Sequence, residues 1–441
     1  MSSPPNKIHT ILYTVIIYDT PLCSHKCVRE VELKSLHGRK IAIDASMAIY
    51  QFMIAVRTGN QTNPSAMLTN EDGEPTSHIQ GMFNRTIRYM TEGIKPVFVF
   101  DGKPPDFKSG ELLKRREKRE KAQAALKTAE EEGNVEEQDK QSKRLVRAGQ
   151  KENKDCQRLL ELMGVPVVLA PCEAEAQASS LAKAGLVYAT GTEDMDALTF
   201  ATPVLLRKMT FANASKSTVQ SMSYAKAVEG LELTHDQFVD LCIMLGCDYC
   251  DSIRGVGPKT ALKLIKQHGD IENILKNLDR QKYTIPAAWI PNEKKKSSKD
   301  KDDDNGSSGE DENSSPKKDD DDDDDNEKEE ALIPAYVEAR RLFKEHEVLD
   351  NKEVQLKWKP CQAEALTKFL VEEMGFNPER VASSIEKLQN AYKVHSKPQS
   401  RMDSFFKVLP QDPAKKAAAA NKRKAAAATS GKKKPAAKKK R

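Results

Sequence analysis

Residues 38–46 read "GRKIAIDAS": a polar start, three apolar residues and then an acid, Asp44. The same grammar returns at 95–101 in "KPVFVFD", which closes on Asp101. It recurs at Val165–Leu169 ahead of "APCEAEAQ" (170–177), and in "LVYAT" (186–190) ahead of "GTEDMDAL" (191–198). Short continuous apolar runs suit strands buried on both faces of a mostly parallel sheet, covered by the helix-favouring stretches between them. The pattern predicts an α/β fold with a central, mostly parallel sheet flanked by helices. In open sheets of this kind ligands gather beyond the carboxyl ends of the strands, where Asp44 and Asp101 fall.

Two acidic pairs, Glu173 with Glu175 and Asp194 with Asp196, are each split by one small or apolar residue and set in apolar sequence. Asp248, within "LGCDYCDSIRGVGPK" (245–259), shares that setting. Taken singly, each of these acids reads as a cap or a surface residue. Together, Asp44, Asp101, Glu173, Glu175, Asp194, Asp196 and Asp248 converging on one sheet edge would repel strongly unless cations neutralised them. Hard oxygen ligands without a histidine cluster point to Mg²⁺ or Mn²⁺ rather than zinc. Two such ions about 4 Å apart can hold both the attacking water and the leaving oxygen of a phosphodiester.

The rest of the chain bounds the partners. Its 441 residues suffice for two or three domains, and the formal charge of +5 hides a segregation. Residues 293–330 carry 18 acids against 8 Lys and Arg, including the run Asp319–Asp325, and read as a disordered acidic insertion. Residues 407–441 carry 13 Lys and Arg against 1 acid and read as a disordered basic tail, suited to nuclear import, DNA contact or both. The remainder sums to about +3, so a polyanion-binding surface within it must be a local patch. Eight scattered cysteines fit free thiols in a reducing compartment; Cys247 and Cys250 have the spacing of half a zinc site with no second half following. The apolar run Ile8–Tyr18 falls short of the roughly 20 residues that cross a bilayer and reads as a buried or edge strand rather than a signal segment.

Between Pro104 and Leu162 the sequence becomes helix-favouring and highly charged, broken at Gly133-Asn134. It reads either as a solvated helical hairpin or as a clamp that directs Lys108, Lys114, Arg115, Arg116, Lys118 and Arg119 at phosphates. Residues 235–269 read as helix, turn, helix, with Pro258 as the first residue of the second helix after Gly255-Val256-Gly257, a start that suits a DNA phosphate.

"IAIDASMAIYQF" (41–52), "VFVFDGKPPDFKSGELLKRR" (97–116), "APCEAEAQ", "TEDMDALTF" (192–200) and "LGCDYCDSIRGVGPK", in that order, closely resemble the flap endonucleases, the replication and repair members of the structure-specific 5′ nuclease family. The likeness runs from about Arg29 to Val408, apart from the acidic insertion. It implies that the seven acids are the ligands of two Mg²⁺ ions, for which Mn²⁺ can substitute. It also implies that Lys108 and Arg115, at the base of a helical clamp, act with Asp196 in catalysis. The implied DNA contacts are Tyr50, on which a base stacks, with Arg57, Arg85, Glu173, Gly246, Asp248, Arg254 and Lys259. Without the resemblance Tyr50 reads equally as a core tyrosine. A helix–two-turn–helix around a K⁺ ion is implied for the Ser252–Val256 region. "QSRMDSFF" (399–406) resembles a sliding-clamp-binding peptide, with Gln399, Met402, Phe405 and Phe406 as its contacts.

The expected organisation is an atypical N-terminal extension over 1–28 in place of the family's usual Met-Gly-Ile start, and nuclease regions over 29–130 and 131–280. The acidic insertion follows at 293–330, then a C-terminal helical part at 331–395, the clamp-binding motif at 399–406 and the tail at 407–441. The implied activity is 5′-flap endonuclease with 5′–3′ exonuclease action, in Okazaki fragment maturation and long-patch base excision repair. The implied protein is a monomer acting on flap DNA with the sliding clamp, away from membranes, in the nucleus with a mitochondrial fraction. The rival readings are a catalytically impaired junction-binding protein tethered to the sliding clamp and a sister nuclease that prefers bubbles or free 5′ ends.

Overall fold

The four apolar runs each form a strand in the computed structural model, which describes residues 27–55, 69–70, 73–146, 148–209, 218–290 and 333–395. The strands are β1 (Val28–Glu32), β2 (Lys40–Asp44), β3 (Lys95–Phe100), β4 (Val167–Leu169), β5 (Ala189–Gly191), β6 (Val204–Arg207) and β7 (Thr218–Ser223). Among the described residues they make one sheet in the order β1-β7-β6-β5-β2-β3-β4. From β6 to β4 all neighbours are parallel, while β7 and β1 join antiparallel at one edge. β3 and β5 lie on opposite sides of β2, so the strand order reverses there, and the crevice at such a switch point is where open α/β sheets bind ligands. The antiparallel β1 opens at Val28, inside the segment read as an extension.

Helices cover both faces because the strands alternate their side chains. Ile41, Ile43, Phe98 and Phe100 enter one layer with α1 (Ala45–Ala55), α2 (Ser77–Thr91), α5 (Gln150–Leu162), α13 (Ala363–Lys368) and α14 (Pro378–His395). Ala42, Val97, Val99 and Val168 enter the other with α6 (Ala174–Lys183). Full burial of a phenylalanine such as Phe98 or Phe100 contributes about 2 kcal/mol. A third core joins the short α7 (Asp196–Thr199) to α8 (Tyr224–Leu231), α9 (His235–Leu245), α10 (Pro258–His268), α11 (Ile271–Asn277) and α12 (Ala335–Lys344). Arg340 ties its last member in: it donates to buried Asp240 on α9 at 2.7 and 2.9 Å and to Glu272 on α11 at 2.8 and 3.0 Å.

The charged segment divides as its apolar spacing dictates. α3 (Ser109–Glu131) and α4 (Val135–Leu145) form an antiparallel hairpin in which Ala122, Ala129 and Gln141 are buried and most other side chains are exposed. Asn134 caps α4 by accepting from the Glu137 N–H at 3.1 Å. α5 belongs instead to the core, because Cys156, Leu159 and Leu160 recur at helical spacing and are fully buried. The expected helix–turn–helix is formed by α9 and α10, with Gly257 at the N-cap of α10 and Pro258 in its first turn. No helix among the described residues is long and apolar enough to cross a membrane.

Gly102 brings the ends of β3 and β4 together. Its N–H donates to the Cys172 carbonyl at 2.7 Å, and a Cβ there would lie 2.2 Å from the Ala170 oxygen and 2.3 Å from the Pro171 oxygen. Both obstacles are backbone, so Gly102→Ala must push the two strand ends apart. The expected loss of stability is about 1–3 kcal/mol, measured as a lower thermal midpoint; an unchanged midpoint would refute this account.

Candidate metal centre

Strand register places the first acids. Ile43 pairs with Gly191, so the next residues, Asp44 and Thr192, lie side by side. Thr192 Oγ1 donates to Asp44 Oδ2 at 3.0 Å, and Asp44 Oδ1 accepts from the Met47 N–H at 3.0 Å. Thr192 Oγ1 also accepts from the Asp194 N–H at 3.1 Å, and Asp194 Oδ1 from the Asp196 N–H at 2.9 Å. These are successive side-chain turns, each reaching two residues along the chain, and they explain the spacing of the second acidic pair. Across the sheet, Asp101 Oδ1 accepts from the Ala174 N–H at 2.8 Å, linking the end of β3 to the start of α6.

The residues that split the pairs are anchors. Ala174 and Met195 are fully buried in two different cores, which turns Glu173 and Glu175, and Asp194 and Asp196, out of those cores. Glu173 sits at the N-cap of α6 and Glu175 in its first turn, where the helix dipole favours negative charge. Asp248 arrives through Gly246, which ends α9 at φ +104°, a backbone conformation that favours glycine. Glu193, the remaining acid of the second motif, is engaged elsewhere: it accepts from the Lys208 N–H at 2.6 Å and lies 3.4 Å from Arg207.

The base of the helical hairpin closes over this edge. Lys108, at the start of α3, places its ammonium 2.5 Å from Glu173 and 3.0 Å from Asp248, and Arg115, two turns on, donates to Asp248 at 2.8 Å. Lys114 pairs with Asp251. Tyr249 donates its phenol hydroxyl to Glu173 Oε2. Burial works against the Lys108 charge, but Asp248, Glu173 and Glu175 outweigh it and hold the ammonium protonated well above the usual lysine range.

The carboxylates feel one another. Burial first, and then the charge of Asp101, pushes Asp44 up to about 7. Glu175 and Asp196 are pushed well above the ordinary carboxylate range, chiefly by burial and next by Asp44 and Asp194 respectively. The acids gather, but not as a finished ligand set: among the described residues no three His, Cys, Asp or Glu side chains are arranged around one point. The physical reason lies in their partners, since Asp44, Asp101, Asp194, Glu173 and Asp248 point oxygens at N–H, hydroxyl, ammonium or guanidinium donors. A divalent cation fits this chemistry. Its donors are hard oxygens, and it would favour the ionised state that burial makes costly in Asp44, Glu175 and Asp196.

The other expected site residues fall around this edge or outside the described residues. Tyr50 is half-buried on α1, the helix that begins directly after Asp44. Arg85 on α2 is half-buried and forms no ion pair among the described residues, so burial lowers its pKa. Arg254 is exposed in the turn before α10, its backbone paired with Thr284, and Lys259 is exposed in the first turn of α10. Arg57, Gln399, Met402, Phe405 and Phe406, the acidic insertion and the basic tail lie outside the described residues. Cys247 and Cys250 are free thiols 3.6 Å apart. Sequence reasoning missed Thr192 and Tyr249. Thr192 left a signal, a threonine two residues before an aspartate; Tyr249 left none, because its partner is 76 positions away.

Residues 20–122 match the family described as XPG N-terminal domain, and residues 164–248 match XPG I-region. The first holds Asp44 and Asp101; the second holds both acidic pairs and ends on Asp248. The chain is 69% identical to flap endonuclease 1 of Phaeodactylum tricornutum over 391 residues, 89% of this chain and 91% of that protein. It is 48% identical to flap endonuclease 1 of Nematostella vectensis over 389 residues, 88% of this chain and 89% of that one. Among solved structures, flap endonuclease-1 from Methanococcus jannaschii is similar with a TM-score of 0.57 at 30% identity, over 83% of this chain and 96% of that one.

The raised carboxyl pKa values have a sign that can be measured. An acid whose pKa is higher in the fold than in the unfolded chain favours the fold only while protonated. The contribution of Asp44 to the stability of chelator-stripped protein should therefore be full below about pH 4 and be lost as pH rises through about 7, with Glu175 and Asp196 acting in the same direction, so Asp44→Asn should flatten the pH profile of the thermal midpoint. Divalent cations need ionised ligands, so Mg²⁺ should raise the thermal midpoint more at about pH 8 than at about pH 5. Equal shifts at both would contradict the assignment of the carboxylates as ligands.

Proposed function

The chain belongs to the flap endonuclease family and is a structure-specific 5′-flap nuclease of DNA replication and repair, and from that premise we propose how its own residues carry the reaction. The observation that carries the reading is the cluster of mutually perturbed carboxylates at the strand-order switch, capped by Lys108 and Arg115. Divalent-metal dependence is general to this family. In this chain Asp44, Asp101, Glu173, Glu175, Asp194, Asp196 and Asp248 would hold two Mg²⁺ ions, with Mn²⁺ able to replace them. When bound, the ions supply charge that stabilises the attacking and leaving oxygens of the phosphodiester.

The remaining work falls to the protein. Lys108 stays protonated, and Arg115 is partly exposed beside it, so both can turn from their carboxylate partners to the scissile phosphate and stabilise charge that develops there. Arg85, half-buried without an ion-pair partner among the described residues, suits a backbone phosphate. Tyr50 offers a face to a base next to the cut, and the residue doubles poorly as core because it is only half-buried. Gly246, Arg254 and Lys259 lie along the helix–turn–helix, and the start of α10 favours a duplex phosphate, with K⁺ in the Ser252–Val256 turn. The hairpin of α3 and α4 would pass the single-stranded flap beneath it. Okazaki fragment maturation and long-patch base excision repair are the proposed settings, with nuclear residence supported by the basic tail and a mitochondrial fraction by family likeness.

Asp196→Ala is expected to cut cleavage of a labelled 5′-flap duplex in Mg²⁺ to below about a thousandth of the parent rate while flap binding stays nearly intact. Retained cleavage would count against the assignment, and a parent chain that binds flaps without cutting them would favour the junction-binding alternative.

The motif at 399–406 supports docking on the sliding clamp through Gln399, Met402, Phe405 and Phe406. Replacing Phe405 and Phe406 together by alanine should weaken sliding-clamp binding about 30-fold or more, by surface plasmon resonance, with clamp-free cleavage unchanged. Equal clamp affinity before and after would remove this partner.

A further inference from the structure

We propose that Tyr249 is a positioning residue for Glu173, holding one carboxylate oxygen in place while Lys108 leaves the other to serve the scissile phosphate. The inference rests on the nuclease reading above and goes beyond it. Glu173 is gripped from two sides: Lys108 reaches Oε1 at 2.5 Å, and the Tyr249 hydroxyl donates to Oε2. The two grips differ in permanence. Lys108 is a long side chain with several rotatable bonds, and it divides its ammonium between Glu173 and Asp248. Tyr249 is 6% exposed, and its ring meets Phe343 at 4.9 Å and 62°.

Phe343 is 1% exposed and lies 5.2 Å from Phe200, whose N–H donates to the Asp196 carbonyl at 3.0 Å. The three rings therefore join the turn that carries Asp248, the helix that starts at Asp196 and the carboxylate of Glu173. A tyrosine that only filled the core would be served as well by phenylalanine. Here the hydroxyl is spent on an acid at the site, and groups that orient metal-binding carboxylates typically change affinity by about 10- to 100-fold when lost.

The test is Tyr249→Phe in the full chain, which keeps the ring and removes the hydroxyl. Calorimetric titration of Mn²⁺ into chelator-stripped protein without DNA should give about tenfold weaker binding, and the Mg²⁺ concentration for half-maximal flap cleavage should rise in step and be rescued by excess Mg²⁺. The thermal midpoint should stay close to the parent value. In a Glu173→Gln background the same change should weaken Mn²⁺ binding no further, because the hydroxyl acts through that carboxylate. Unchanged Mn²⁺ affinity in Tyr249→Phe, or an undiminished second loss in the Glu173→Gln background, overturns the inference while leaving the nuclease reading intact. A parent chain that neither binds Mn²⁺ nor cleaves flaps overturns that reading, and this inference with it.

Discussion

Keeping carboxylates charged where water is scarce is the constraint on which this architecture turns. Asp44 ends a strand buried in the middle of the sheet, and Glu175 and Asp196 begin helices beside it, so each carries an ionisation that its surroundings oppose. The fold tolerates this by spreading donors through the edge: Met47 and Thr192 on Asp44, the Ala174 N–H on Asp101, Lys108 on Glu173 and Asp248. These donors reduce the electrostatic cost without abolishing it. On the proposed reading, the residual cost would favour divalent cations there and would tie metal affinity to pH.

The same donors couple binding to chemistry. Lys108 and Arg115 are paired with Glu173 and Asp248, and on the proposed reading a phosphate entering the site would compete for both cations. A site that released its cations without another hold on the carboxylates would loosen when it needs rigidity most. Hydroxyls from Thr192 and Tyr249 supply that hold, because neither carries a charge that a phosphate could draw away.

The sheet was legible because its strands are buried on both faces, so "IAID" and "VFVFD" spell apolar runs that end where the site begins. The acidic pairs were legible for a related reason: Ala174 and Met195 must be apolar to anchor in the cores, and that forces the one-residue split. Less was visible in the charged segment, where the apolar spacing of Cys156, Leu159 and Leu160 was diluted by surrounding lysines and acids, so α5 was grouped with the hairpin although it packs beneath the sheet. Partnerships were least visible. Nothing local to Lys108 announces Glu173 or Asp248, because sequence does not say which oxygens are taken by donors.

The described residues on either side of the charged segment at 293–330 pack against each other. Trp289, fully buried just before it, and Tyr336, just after it, place their rings 5.3 Å apart, so the chain leaves and returns at nearly the same point. Closure entropy grows only slowly with loop length once the ends are held together. Trp289 also donates its indole N–H to the Asp251 carbonyl at 2.9 Å, three residues beyond Asp248, and α12, which carries Tyr336, presents Phe343 to Tyr249. The contacts that seal the insertion are thus the ones that back the turn bearing Asp248. Trp289, Tyr336 and Phe343 cannot shrink without loosening the packing behind the turn that bears Asp248.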